Sequence, residues 1–143
     1  MLIMQIDQQI IHFLNGHHLL TLATSQNNKP YCCNLFYVYD QVSNQLIFST
    51  ETKTKHAQDF ITNTNVAGSV ALETKNVSKI QGVQLLGTIE ELKGERLKIA
   101  KEQYIKAFSY AANMDLHLWV MPLTFIKMTH NKLGFGKKLI WQK

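Results

Sequence analysis

No apolar run in this chain approaches the roughly 20 residues that a membrane-spanning helix needs. The first residues, MLIMQID, lack the basic region and small-residue cleavage site of a secretory signal, so a cytoplasmic protein is expected. Cysteine is scarce. The two present, Cys32 and Cys33, are adjacent, and neighbours in an extended strand point to opposite faces, which argues against a zinc pair or an ordinary disulfide. No run of like charges is long enough to form a tail, and no internal repeat, low-complexity tract or linker divides the chain, so residues 1–143 are read as a single domain. A Ser-His-Asp set, a Walker loop and a paired-carboxylate arrangement are all missing. His17 and His18 diverge on a strand with no third ligand nearby, and no metal is predicted.

What is present fits a globular domain. At 143 residues, 45% hydrophobic and 17% charged, the chain can bury roughly two-thirds of its unfolded surface. Its net charge of +5 and pI near 9.2 point to anionic partners such as phosphates, nucleotides or nucleic acid. Ile3, Ile6, Ile10, Phe13 and Leu14 recur at helical spacing and stop at Asn15 and Gly16, which predicts a helix over residues 5–15 lying on the core as a lid. Strands are predicted over 19–25 and 31–40, joined as a hairpin, then over 46–48, 66–72 and 82–92, where Gly87 marks a bulge or bend. Leu97, Ala100, Tyr104, Phe108 and Ala111 make the apolar stripe of the longest helix, residues 94–112. Beyond it come a strand over 116–121 ended by Pro122, another over 125–129 and a short one over 139–141. About seven or eight antiparallel strands with two or three helices make the chain mainly β with flanking helices, a barrel interrupted by its long helix.

The focal stretch is residues 46–63. The strand Leu46, Ile47, Phe48 runs into a hydroxyl-rich, basic turn over residues 49–55, and a helix follows with Ala57, Phe60 and Ile61 on one face. Free backbone N–H groups at that helix start favour an anion, so strand, hydroxyls, lysine and helix make a candidate phosphate cradle. The alternative reading is structural. Thr52 or Thr54 would cap the helix and the lysines would be solvated.

The segment FIKMTHNKLGFGKKLIW, residues 125–141, resembles the signature of the YhbP-like branch of the pyridoxamine 5′-phosphate oxidase-like, FMN-binding split barrels. NLFY at 34–37, KTKHAQ at 53–58 and IQGVQLLG at 80–87 extend the match over nearly the whole chain. The resemblance implies an antiparallel six-stranded split β-barrel that forms a homodimer, with FMN at two equivalent sites between the subunits. It implies that Asn34 and Phe36 lie near the isoalloxazine, and that Ser49, Thr50, Thr54 and Lys55 bind the phosphate. Gln81 and Gln84 would supply polar contacts, while His130, Lys137 and Trp141 would reach across from the partner. Two departures argue against pyridoxamine phosphate oxidation itself. Thr54 stands where the oxidase pattern has an arginine, and LGFGKK at 133–138 replaces its C-terminal arginine and histidine.

Each site residue has a bland counterpart. A lysine at a helix N-terminus opposes the macrodipole unless an anion is present, which favours phosphate at Lys55 over a solvated side chain. Gln81 and Gln84 differ by three along a strand and face opposite sides unless Gly82 permits a bulge. Phe36 and Trp141 would stack on a ring or serve as core or dimer contacts. Lys137 and Lys138 would meet a phosphate or stay exposed. The leading expectation is a flavin-dependent oxidoreductase whose chemistry is the cofactor's. A non-enzymatic module holding flavin or a related ligand comes second, and a nucleic-acid-binding barrel last, because the basic residues are dispersed along the sequence.

Overall fold

The computed structural model describes residues 5–143, so Ile3 of the predicted N-terminal stripe lies outside the described residues. Helix α1 (Gln8–Gly16) starts where the Asp7 carboxylate accepts from the Gln9 amide at 2.8 Å. It buries Ile10, Phe13 and Leu14 and covers the core as its spacing predicts. β1 (Leu19–Gln26) and β2 (Lys29–Phe36) form the expected hairpin around Asn27 and Asn28, whose φ angles of 52° and 61° suit a two-residue loop. Pro30 is tolerated inside β2 because β2 is an edge strand.

The predicted strand over 31–40 breaks at Tyr37. Its ring turns into the core and its hydroxyl donates to the Leu14 carbonyl at 2.8 Å, after which the chain resumes as β3 (Val38–Asp40) against β4 (Gln45–Ser49). Then follow α2 (Lys55–Thr62), β5 (Asn65–Ala71), a 3-10 turn at Val77–Lys79, β6 (Gln81–Thr88), β7 (Glu90–Glu91) and α3 (Gly94–Ala107). The long helix is shorter than its stripe predicts: at Phe108 it gives way to a 3-10 segment, Ser109–Asn113. β8 (Leu118–His130) and β9 (Lys138–Gln142) complete the order.

One antiparallel sheet of nine strands results, in the order β2-β1-β5-β6-β8-β4-β3, with β7 and β9 also paired to β8. It curls as a split barrel. The strands beyond six are the short β3, β7 and β9. Where the sequence predicts two strands separated by Pro122, the structure has one, the 13-residue β8. Pro122 sits where β8 changes partners, from β4 and β7 along its first half to β6 and β9 along its second. A residue without an N–H is tolerated at that handover, and the next amide, that of Leu123, donates to the Asn44 carbonyl at 3.1 Å. Opposite, Gly87 marks a register shift, and a Cβ on it would lie 2.3 Å from the Pro122 carbonyl oxygen. The expected bend at Gly87 is thus the corner of the barrel.

Two apolar clusters fill the fold. The larger, under α1 and α2, contains Leu20, Leu22, Phe48, Phe60, Trp119 and Ile126. The smaller, under α3, contains Ile47, Leu92, Ala100, Tyr104, Leu118 and Val120. The first half of β8 is therefore buried on both faces. No described helix is long and apolar enough to cross a membrane.

Gly87→Ala is expected to cost about 3 kcal/mol, because the methyl group meets backbone that cannot yield. Pro122→Ala should stay within about 1 kcal/mol. Urea unfolding followed by tryptophan fluorescence separates the two.

Candidate functional site

The turn between β4 and α2 is built on β8. The Thr50 amide donates to the His117 carbonyl at 3.0 Å, and the Trp119 indole donates to the Thr50 carbonyl at 3.0 Å. Thr54 is the cap: its hydroxyl accepts from the Ala57 amide at 3.2 Å and donates to the Glu51 carbonyl at 2.9 Å. The structural reading of Thr54 is therefore realised. α-Helix geometry leaves the amides of Lys55 and His56 without intrahelical acceptors, so an anion-binding capacity remains beside the cap.

Two residues missed in the sequence organise this turn. The Nε2 of His56 lies 2.7 Å from the Thr50 hydroxyl and 3.1 Å from that of Thr54, drawing both predicted hydroxyls to one point. Asp59 is fully buried, accepting from the Thr24 hydroxyl at 2.8 Å and from the Lys55 ammonium. Lys55 also lies over the Tyr31 ring, 5.1 Å from its centroid. The i,i+4 spacing of Lys55 and Asp59 was visible in the sequence. The burial of Asp59 was not: α2 turns Ala57, Asp59 and Phe60 inward and leaves Ile61, predicted for the inner face, half exposed.

Electrostatics follow from these contacts. The hydrogen bond from Lys55 holds the Asp59 carboxyl below its ordinary value, helped by Thr24 and opposed by burial. Burial lowers His56, with the Asp59 charge pulling the other way, so His56 is neutral near pH 7 and adds no positive charge to the cradle. Lys55 shares its charge with Asp59. On the far side of the turn a cavity of about 560 Å³, a size typical of small-molecule sites, is lined by Glu51, Lys53, Leu97, Asp115 and His117 among others. His117 stacks on Trp119 with centroids 4.7 Å apart and lies 3.0 Å from the Glu91 carboxylate.

The other predicted residues fall into two places. Asn34 and Gln84 belong to one polar row across the outer sheet face, in which paired residues run Asn34, Thr21, Ser69, Gln84 and Lys127. The Thr21 hydroxyl donates to the Asn34 side-chain oxygen at 2.9 Å. Phe36 shares this face, half exposed, and stacks on Phe108 at 5.4 Å. Flanking positions are small, Ala23, Ala67 and Ala71, or half-exposed, Leu86 and Ile140. Cys32 lies on this face too, whereas Cys33 points inward and burial pushes its thiol up to about 11.

Gln81 faces the opposite way. Pairing is continuous from Gln81 to Leu86, so no bulge brings Gln81 and Gln84 together. Gln81 instead pairs with His130, whose ring is buried with Nδ1 lacking a partner, and the His130 amide donates to the Lys137 carbonyl at 2.9 Å. Trp141 packs against the core of its own chain, and Lys137 is exposed. β8 separates His130 and Lys137 from the β4–α2 turn by about 40 Å along the strand. Within one chain, therefore, the structure brings the Thr50 and Thr54 hydroxyls together on His56, keeps Ser49 at the end of β4 paired with Leu118, and turns the Lys55 ammonium to Asp59. It sets Asn34 in one row with Gln84, but does not join the C-terminal residues to either group. Among the described residues no group of three or more His, Cys, Asp or Glu could hold a metal ion.

Strand order, the β8 corner and the flanking helices define an antiparallel split barrel. A heme-binding protein of Mycobacterium smegmatis shares the fold with a TM-score of 0.72 at 16% identity, covering 87% of this chain and 52% of that one, so the chain spans about half that protein's length. A FAD-binding protein of Mesorhizobium loti matches at 0.70 and 15% identity over 85% of this chain and 90% of the other. A Listeria innocua protein provisionally assigned as a pyridoxamine 5′-phosphate oxidase matches at 0.70 and 12%, over 87% and 98%. These likenesses are of fold. No family model matches the chain. It belongs to the UPF0306 family: it is 38% identical over 136 residues to the UPF0306 protein of Photorhabdus laumondii, covering 94% of this chain and 95% of that protein. The Serratia proteamaculans UPF0306 protein is also 38% identical, over 137 residues. The matches carry the split-barrel fold and this family, not the finer YhbP-like branch.

Because Asp59 and His56 both have lowered folded-state values, the stability they contribute is complete above their ordinary values and is lost on acidification. Loss should begin as pH falls below about 6.5 through His56 and deepen below about 3.8 through Asp59. Denaturation midpoints measured across this range check it, and His56→Gln should remove the first phase.

Proposed function

We propose that the protein binds FMN as a homodimer and acts as a cytoplasmic flavin-dependent oxidoreductase of the YhbP-like branch, with a substrate other than pyridoxamine phosphate. The observation that carries this reading is the convergence of the Thr50 and Thr54 hydroxyls, the free first-turn amides and Lys55 at one turn. Those groups suit a phosphate. Donors of this kind satisfy phosphate oxygens without needing a full positive charge, which matters because Thr54 replaces an arginine and Lys55 is shared with Asp59.

The outer sheet face supports the dimer. Its polar row is flanked by small side chains and by half-exposed Leu86 and Ile140, a surface suited to a flat partner or ring. Asn34 and Gln84 would orient the ring and Phe36 would border it. His130 and Trp141 would support the C-terminal strands, and Lys137 would reach a flavin only from the second subunit. FMN would supply hydride or electron transfer, while this chain binds, orients and excludes water. A non-enzymatic flavin- or heme-type binding module is the second reading, favoured by hydroxyls that already serve the turn itself.

The visible spectrum of freshly purified protein, then FMN titration, tests the proposal. Lys55→Ala should weaken FMN about tenfold, the worth of one charge-assisted hydrogen bond. Asn34→Ala should weaken it while leaving the melting temperature unchanged, which separates ligand loss from the stability effect of leaving Asp59 unpaired. Light scattering should give twice the 16.4 kDa chain mass. A heme band in place of a flavin band, or no saturable FMN uptake, would overturn the assignment. Flavin binding without turnover across a panel of electron donors would leave the binding module.

A further inference from the structure

The lysines that look dispersed along the sequence are gathered by the fold. Asn131 clamps two distant turns together: its side-chain amide donates to the Val77 carbonyl at 2.7 Å, its side-chain oxygen accepts from the Gly136 amide at 3.0 Å, and its backbone amide donates to the Ile80 carbonyl at 2.9 Å. One tip results, at the far end of β8 from the β4–α2 turn. Gly134 and Gly136, with φ of 142° and 71°, flank Phe135 in conformations that other residues rarely adopt.

This tip is apolar at its crest and basic around it. Phe135 is 86% exposed, Val77 53%, Leu133 47% and Ile80 37%. Lys75, Lys79, Lys132, Lys137 and Lys138 surround them, all exposed. No aspartate or glutamate occurs in residues 74–82 or 126–143; the nearest in sequence is Glu73. The five lysines match the net charge of the whole chain, +5, so the remainder of the molecule is balanced.

We propose that this tip docks on an anionic lipid bilayer, with Phe135, Leu133, Val77 and Ile80 entering the headgroup layer and the lysines meeting lipid phosphates. The combination selects among occupants. Protein interfaces deplete lysine from their cores. Nucleic acid rewards stacking aromatics and arginine, whereas this crest holds one aromatic and three aliphatics and its cations are all lysine. Aliphatic and aromatic side chains ringed by lysine suit an interface that is apolar at depth and negative at its surface. The docking does not require a bound flavin, and Lys137, which the flavin reading assigns to the second subunit's site, is left out of the test.

Cosedimentation of the full chain with phosphatidylcholine vesicles, with and without phosphatidylglycerol, tests this. Binding should require phosphatidylglycerol and fade as salt is raised. The double variant Lys79→Glu, Lys132→Glu should bind about tenfold or more weakly, and Phe135→Ser should lose about tenfold with the salt dependence retained. Unchanged melting curves are expected, since all three positions are exposed. Equal binding to neutral vesicles, no binding to either, or variants that bind like the wild type would sink the idea. Preferential capture of a single-stranded oligonucleotide would reassign the tip to nucleic acid. A change of oligomeric state in Phe135→Ser would reassign it to a second copy of the chain.

Discussion

Everything in this fold hangs on the approach of Gly87 to Pro122. At that corner no side chain fits on one strand and no amide hydrogen is available on the other, and this lets β8 leave β6 and continue on β4. Because one strand serves both halves, its first half needs apolar cover on two faces, which α3 supplies on one side and the main core on the other. The same strand carries the floor of the β4–α2 turn through His117 and Trp119. A local steric fact thus fixes the placement of a candidate site a full strand segment away.

Asp59 sets the second constraint. A buried carboxylate is tolerable only when its lone pairs are satisfied, and Thr24 and Lys55 do this from different elements, one on β1 and one at the start of α2. The carboxylate ties the helix to the sheet and also fixes where the Lys55 ammonium lies. The cost falls on anion affinity, since a lysine engaged by a carboxylate offers less field to a phosphate. On the proposed reading the turn would rely on amides and hydroxyls more than on charge.

Much of the architecture was legible from periodicity: the lid helix, the first hairpin, the bend at Gly87, and the opposed facing of Gln81 and Gln84. Breaks read from single residues were less secure. Pro122 reads as a strand end because proline removes a ladder bond, yet it occupies a handover between partners, a property of tertiary pairing. The break at Tyr37 is the converse, a residue of high strand propensity pulled out of line by a hydroxyl reaching Leu14. Asp59 and the lysine tip were hidden for a common reason: each depends on contacts between segments far apart in sequence, Thr24 with Asp59 and Val77 with Asn131.

The indole of Trp119 and the carbonyl of Thr50 are 69 residues apart, whereas the β1–β2 hairpin closes on two. Loop-closure entropy orders such events, so short hairpins form first and pairing across the longest loops comes late. The Thr54 cap and the Thr50–His56 contact are local to the β4–α2 turn, whereas the bonds that anchor the turn to the segment entering β8 close loops of more than sixty residues. The turn can therefore hold its cap within its own segment, but its fixed place against the sheet depends on one of the longest loop closures in the chain.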